Sequence, residues 1–283
     1  MPTGLWPRGA KGAFAFGWDL DGDTIWNQKV RKLPGGLENL RSRSVGLYGP
    51  LKGAWRILNI MSKYNLKATW FVPAVNVEAF PDLVRMIQDA GHEIAHHGYD
   101  HDSFYGNTPE EQLAAIEKSQ QIFQKVLGKP AVGFRPTGSL LPETKASLFQ
   151  NPNTLYTSED IGKENCHFHE INGMNTNVVH LPCRQELDDY IQLVYNQYPP
   201  VPRGLPRIAP YDAVLKGFIR EIEGTMRFGN AVSTAFHPQI SGTPGRAVLL
   251  EKLCQYLVSN PEIWCGTCEE IAVYWKKNHG GKR

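Results

Sequence analysis

Short apolar runs of strand period alternate along the chain with apolar stripes of helical period, and this constrains the fold more than any other feature. Phe14, Phe16 and Trp18 alternate with small residues and stop at Asp19. Ala68 to Val72, His92 to Ala95, Val132 to Phe134, Thr154 to Thr157, Val178 to Leu181 and Ala231 to Phe236 read as further strands. Between them, Leu51, Ala54, Trp55, Leu58 and Met61 share one helical face. Leu83, Met86, Ile87 and Ala90 form a second stripe, stopped by Gly91 just past the expected helix end. Thr108-Pro109-Glu110-Glu111 is a capping box with proline at the first helical position. It opens a helix through Leu113, Ile116, Phe123 and Val126 that Gly128 and Pro130 close. A late helix carries Val248, Leu249, Leu253 and Leu257. Such alternation predicts an α/β fold: a parallel sheet with right-handed crossovers, curled into a closed or nearly closed, distorted (β/α) barrel. We expect one domain over residues 1–283, with its core from about residue 12 to 275.

Length and charge fit that expectation. A (β/α) barrel typically takes about 250 residues, so 283 residues suit one. Thirty Lys+Arg against 28 Asp+Glu leave a net charge of +2, too weak a field for counterion-driven binding, and no nucleic-acid partner is expected. The five cysteines crowd the second half, unlike the disulfide framework of a small secreted domain. Met1 to Lys11 has no apolar stretch of signal-peptide length, and no uncharged apolar run approaches the ~18–20 residues of a membrane helix. The expectation is a soluble cytoplasmic protein with no membrane partner. Two stretches read as irregular: Gln28 to Pro50, and Pro199 to Pro210 with five prolines. Either can overhang an active site or be a plain surface excursion.

In a parallel α/β fold, catalytic groups sit at the carboxyl ends of strands, and five polar clusters occupy that place here. Asp19, Asp21 and Asp23 follow the first strand; His96, His97 and His101 follow His92–Ala95; Arg135 follows Val132–Phe134. Asp188-Asp189 comes after Val178–Leu181, and His237 after Ala231–Phe236. His97 and His101, four apart, can face one cation from a compact loop, although the same spacing occurs on satisfied surfaces. Two imidazoles need a third ligand; a carboxylate is the usual complement for zinc or a similar divalent ion, and Asp21 can supply it. Residues two apart in an extended segment point the same way, so Asp19 and Asp21 can reach one pocket, one on the metal and one beside it as general base. Asp23, next to Gly22, reads as a turn cap. An EF-hand fails because loop position 12 is Val30. His237 can protonate a leaving nitrogen, Arg135 can pair with Asp19, and Asp189 can orient His237. Arg135 and Asp189 read equally well as structural ion pairs.

Taken together these residues resemble the polysaccharide deacetylase superfamily, in its branch of allantoinase-like and intracellular peptidoglycan-deacetylase-like proteins, which also includes cyclic imide hydrolases. The resemblance runs from about Trp6 to Tyr274. It is carried by Phe16-Gly17-Trp18-Asp19-Leu20-Asp21-Gly22, Leu47-Tyr48-Gly49-Pro50, Lys67 to Pro73, Gly91 to His101, and Gly133-Phe134-Arg135-Pro136. Leu187-Asp188-Asp189-Tyr190, His237-Pro238-Gln239 and Thr267 to Ala272 complete it. It implies a divalent metal, commonly Zn2+, on Asp21, His97 and His101, with Asp19 as catalytic base and His237 as catalytic acid. Arg135 would tune the base and Asp189 support the acid, with Tyr48, Thr137 and Tyr190 near the substrate. The implied activity is hydrolysis of non-peptide C–N bonds, in N-acetyl groups of sugars or in ureide and cyclic imide rings, by a homo-tetramer. We expect a small-molecule substrate, a soluble amide or cyclic imide, with N-deacetylation of a sugar or peptidoglycan fragment as the alternative. The chain departs from its relatives at Thr137-Gly138-Ser139 and at Tyr190.

Three other readings compete with this one. Trp264-Cys265-Gly266-Thr267-Cys268 looks like a thioredoxin-type motif with a cysteine at a helix amino end, yet the same stretch serves as the last strand and helix of the barrel. Cys166, His167, His169, His180 and Cys183 fit no standard zinc spacing and read as a structural hairpin over Phe168 to Leu181. A catalytically inactive binding module on this fold would have lost a ligand or the base, and this chain keeps all of them.

Overall fold

The computed structural model describes residues 6–25, 40–101, 104, 106–159, 162–194 and 209–280. Strand β1 (Gly12–Asp19) lies inside the sheet with all eight residues buried. Its alternation sorts side chains by size. Phe14, Phe16 and Trp18 pack with the helices on the convex side, whereas Ala13 and Ala15 join Phe71, Ala95 and Tyr156 on the other. Gly17 and Asp19 share the parity of the small residues, so the carboxylate of Asp19 leaves the strand on the narrow inner face.

Helix α1 (Leu40–Tyr48) runs through a π-helical turn (Gly49–Gly53) into α2 (Ala54–Lys63), followed by β2 (Ala68–Val72), α3 (Ala74–Ala79) and α4 (Pro81–Asp89). Then come β3 (Glu93–His96), α5 (Pro109–Leu127), β4 (Gly133–Phe134), α6 (Pro142–Gln150) and β5 (Tyr156–Thr157). An antiparallel hairpin, β6 (His167–Ile171) and β7 (Met174–His180), leads to β8 (Cys183–Asp188) and α7 (Asp189–Leu193). The chain ends with α8 (Tyr211–Arg227), β9 (Ala231–Ala235), α9 (Pro238–Ser241), α10 (Pro244–Ser259), β10 (Ile263–Cys265) and α11 (Cys268–His279).

The ten strands form one sheet in the order β6-β7-β5-β4-β3-β2-β1-β9-β8, with β10 also on β1. Every pairing except β6–β7 is parallel. The sheet curls into a half-barrel, with β6 and β8 at its edges. The Thr108 capping box forms, and Gly128 ends α5 in the left-handed conformation its φ of 76° requires. No helix among the described residues is long and apolar enough to cross a membrane.

Four expectations need correction. The stretch Gln28 to Pro50 is not irregular throughout: from Leu40 it is helical, while 26–39 lie outside the described residues. Gly46, Gly49 and Pro50 give this segment poor helix propensity, but its glycines allow close docking. A Cβ on Gly53 would meet the Pro238 carbonyl at 2.0 Å, and Arg43 reaches Asp23 at 2.9 Å. Asp23 is thus an ion-pair anchor rather than a plain turn cap. Leu51 and Trp55 do not join the buried face of α2; they stand 55% and 49% exposed, and Ile57 and Ile60 pack inward with Ala54, Leu58 and Met61. The Asp188-Asp189 pair follows β8, not Val178–Leu181, because β8 is an edge strand whose exposed Gln185 and Glu186 hide its alternation. The proline-rich stretch 199–208 lies outside the described residues.

Candidate active site

The five clusters meet at the carboxyl ends of β1, β3, β4, β8 and β9. Asp19 ends β1, and Asp21 follows in a turn closed by the Thr24 N–H on the Asp21 carbonyl at 3.2 Å. The Asn76 side-chain amide holds the intervening Leu20 carbonyl at 2.8 Å. Asp21 is wholly buried, and neither of its carboxylate oxygens has a hydrogen-bond partner. Three imidazole nitrogens surround it at longer range: His97 Nε2 at 3.5 Å, His101 Nε2 at 4.0 Å and His237 Nε2 at 3.6 Å. Burial pushes the Asp21 carboxyl up, but these imidazoles outweigh it and hold the pKa down at about 2.

The tautomer of His97 sharpens this arrangement. Its Nδ1 lies 2.7 Å from the Arg135 carbonyl, which can only accept, so Nδ1 carries the proton and Nε2 presents a lone pair toward Asp21. A lone pair and a carboxylate facing each other inside a protein call for a cation between them. Asp21, His97 and His101 each place a ligand atom within 4.8 Å of the other two, and one carboxylate with two imidazoles suits zinc or a similar divalent ion with positions left open. The residues therefore fit a metal ion. His96 takes no part: its Nδ1 accepts the Gly98 N–H at 2.9 Å, and its ring sits among Phe123 and Phe134.

Beside this group, Asp19 Oδ1 accepts from Arg135 Nη1 at 2.6 Å, and Asp19 Oδ2 lies 3.9 Å from His97 Nε2. Arg135 is 4% exposed and fully engaged. Its Nη2 donates to Ser158 Oγ at 3.0 Å and Ser233 Oγ at 2.9 Å, and its guanidinium lies 3.8 Å over the Phe71 ring. Burial alone would lower the Arg135 pKa; the adjacent Asp19 charge reverses that. Gly17 makes the approach feasible, because a Cβ there would meet the Thr234 carbonyl at 2.3 Å and Arg135 Nη2 at 2.9 Å.

His237 caps β9 from the opposite wall. Its Nδ1 donates to Asp189 Oδ1 at 2.7 Å, its backbone N–H donates to the same carboxylate, and the Ser241 hydroxyl donates to Asp189 Oδ2. Burial disfavours the imidazolium, but the Asp189 hydrogen bond and the charges of Asp189, Asp21 and Asp188 raise His237 to about 10. Asp188 itself is pushed up to about 6 by burial. The Tyr190 ring packs edge-on to His237 at 5.7 Å, and its hydroxyl has no partner. The Thr137 hydroxyl is likewise buried without a partner. Tyr48 is anchored, accepting from Arg56 Nη1 at 2.7 Å and donating to the Gly242 carbonyl at 3.5 Å.

Ser158, Ser233, Ser241 and Asn76 were not expected from the sequence as site residues. Only Ser233, a polar residue inside the apolar run Ala231–Phe236, carried a visible signal. The thioredoxin-like reading fails on its chemistry: burial pushes both Cys265 and Cys268 up to about 12, so neither is a thiolate at neutral pH.

Residues 48–153 match the polysaccharide deacetylase family. The peptidoglycan deacetylase of Helicobacter pylori is 27% identical over 293 residues, covering 95% of this chain and 98% of that protein. A crystal structure of a Mycobacterium smegmatis protein assigned to the polysaccharide deacetylases superposes with a TM-score of 0.87 at 27% identity, over 96% of this chain and 93% of that one. The allantoinase PuuE superposes at 0.84 with 21% identity, over 100% and 96%, a likeness of fold alone. Fold and matches define a hydrolase of the polysaccharide deacetylase type, a class that cleaves C–N bonds other than peptide bonds. The similarity is thus to polysaccharide deacetylases, by a family match over residues 48–153 and by relatives of that description along nearly the whole chain.

Proposed function

We propose that this chain is a divalent-metal-dependent hydrolase of a small soluble amide or cyclic imide. The observation that carries the reading is Asp21, wholly buried with two unpartnered oxygens and ringed by imidazole nitrogens. Asp21, His97 and His101 would hold the ion, which when bound supplies Lewis-acid polarisation of the scissile carbonyl and lowers the pKa of water from 15.7 toward about 7.

The chain's own groups complete the reaction. Asp19, paired with and aimed by Arg135, accepts a proton from the attacking water as its oxygen bonds to the carbonyl carbon. His237, protonated and oriented by Asp189, gives its Nε2 proton to the nitrogen as the C–N bond breaks. An amine anion is a very poor leaving group, so this donation is the harder requirement, and general-acid terms are worth roughly 10²–10⁴-fold. Tyr190 and Thr137 offer unpaired hydroxyls to orient the substrate. The reactive groups are almost entirely covered, which suits a compact amide that enters whole.

N-deacetylation of an acetylated amino sugar is the second reading, favoured by the near full-length similarity to the H. pylori peptidoglycan deacetylase. One experiment separates them: turnover of cyclic imides, ureides and N-acetyl sugars, each before and after chelation and after zinc is restored. Ring opening lost to chelator and regained with zinc is the expected result. Turnover confined to N-acetyl sugars supports the second reading, and turnover indifferent to chelation refutes both. Homo-oligomeric assembly and a cytoplasmic location belong to the same reading, and light scattering on the eluting protein tests the first.

A further inference from the structure

A second group of ligand-type side chains lies at the ends of β5 and β7. Glu159 follows Thr157, the last residue of β5, and His180 ends β7, where it pairs in register with Thr157. His169 comes from β6. Glu159, His169 and His180 each place a ligand atom within 4.8 Å of the other two. His180 is wholly buried, and neither of its ring nitrogens has a hydrogen-bond partner. A neutral imidazole has one N–H and one lone pair, so both are stranded away from water. Natural interiors rarely leave such a group without a reason.

The surroundings hold this group in place. The Phe149 ring stacks on His169 at 4.1 Å and 16°, and Thr157 Oγ1 lies 2.7 Å from His169 Nε2. His167 is adjacent, its ring centroid 4.7 Å from that of His180. Burial first, then neighbouring charges including Lys145 and Lys163, hold His169 and His180 at about 3. Both are therefore neutral at physiological pH, the form that ligates metal, and Glu159 supplies a negative charge against the lysines. Cys166 and Cys183, grouped with these histidines by sequence, stay outside the cluster among the described residues.

We propose that Glu159, His169 and His180 bind a second divalent transition ion of the zinc type, independent of the Asp21 group. Its place in the fold makes the role structural: it would tie the β6–β7 hairpin to the end of β5. Ser158, between Thr157 and Glu159, holds Arg135 through both its hydroxyl and its carbonyl.

The test is metal content, not activity. In the full-length, untagged chain carrying His97→Ala and His101→Ala, the Asp21 group is disabled and its metal cannot be mistaken for the second ion. Stripped of metal, incubated with zinc and dialysed, this protein should retain about one equivalent by mass spectrometry. Adding Glu159→Gln or His180→Ala should weaken retention at least tenfold, within the usual range for a disturbed metal site. Glu159→Gln keeps the shape of a half-buried side chain and serves where His180→Ala does not fold. Zinc at the level of a buffer blank in the double variant, or unchanged binding after Glu159→Gln, overturns the second site and leaves the first untouched.

Discussion

Replacing Asp189 by Asn isolates the charge behind His237. The substitution preserves shape, and the amide oxygen can still accept from His237 Nδ1 and from the backbone N–H, both now bonded to the carboxylate. What disappears is the negative charge 2.7 Å from the ring nitrogen. A hydrogen bond to a charged group is worth about 1.5–3 kcal/mol, or roughly one to two pKa units at 1.36 kcal/mol per unit. His237, raised to about 10 with Asp189 as the largest favourable contribution, should fall by that amount. As the acid, His237 must be protonated, so activity is lost as pH rises through its pKa. The alkaline limb of kcat/KM should therefore move down by about one to two units, while the acid limb stays in place. The loss should be large on an unactivated amide and small on an activated ester, whose leaving group departs without a proton. An alkaline limb that does not move, or equal losses on both substrates, would refute the assignment of His237 as a carboxylate-supported acid.

Two further predictions concern the frame. Gly17→Ala should cost at least about 1–3 kcal/mol, the usual penalty of overpacking, because the added methyl lies 2.3 Å from a backbone oxygen; urea unfolding reads it, and wild-type stability would contradict the packing argument. Glu93 should make stability fall with rising pH. It is fully buried, accepts from Thr69, Tyr156 and the N–H of Glu269, and is raised by burial to about 7 from 4.5. Between those values the unfolded chain has released the proton that the folded chain keeps, so stability drops from about pH 4.5 to about pH 7 by on the order of 3 kcal/mol and is flat above. Glu93→Gln should abolish that slope in unfolding titrations across the window; an unchanged slope would assign it to other groups.

What was legible in the sequence divides along physical lines. β1 could be read because aromatic and small residues alternate where both faces are buried, and α5 because its capping box and terminal glycine are local signals. The segment Leu40–Gly53 could not: its helix exists because glycines let it lie against Pro238 and Gln239, which no local propensity records. The cluster of Asp21, His97 and His101 could be read because carboxylates and imidazoles at strand ends are few and chemically distinctive. Ser158 and Ser241, which help aim Arg135 and Asp189, could not, since a serine looks alike in a loop or a short helix; Ser233 stood out only as a polar residue inside an apolar run.

The cluster is held as a unit although its parts come from five strands. Arg135 touches Asp19, Ser158 and Ser233, so one guanidinium joins β1, β5 and β9. Its backbone carbonyl meanwhile fixes the proton of His97 on Nδ1. The side chain that holds Asp19 and the carbonyl that fixes the His97 tautomer thus belong to one residue. Lysine at 135 would keep a charge beside Asp19 but lose the planar fork. Asp19 and His97 would then no longer be placed by the same rigid group.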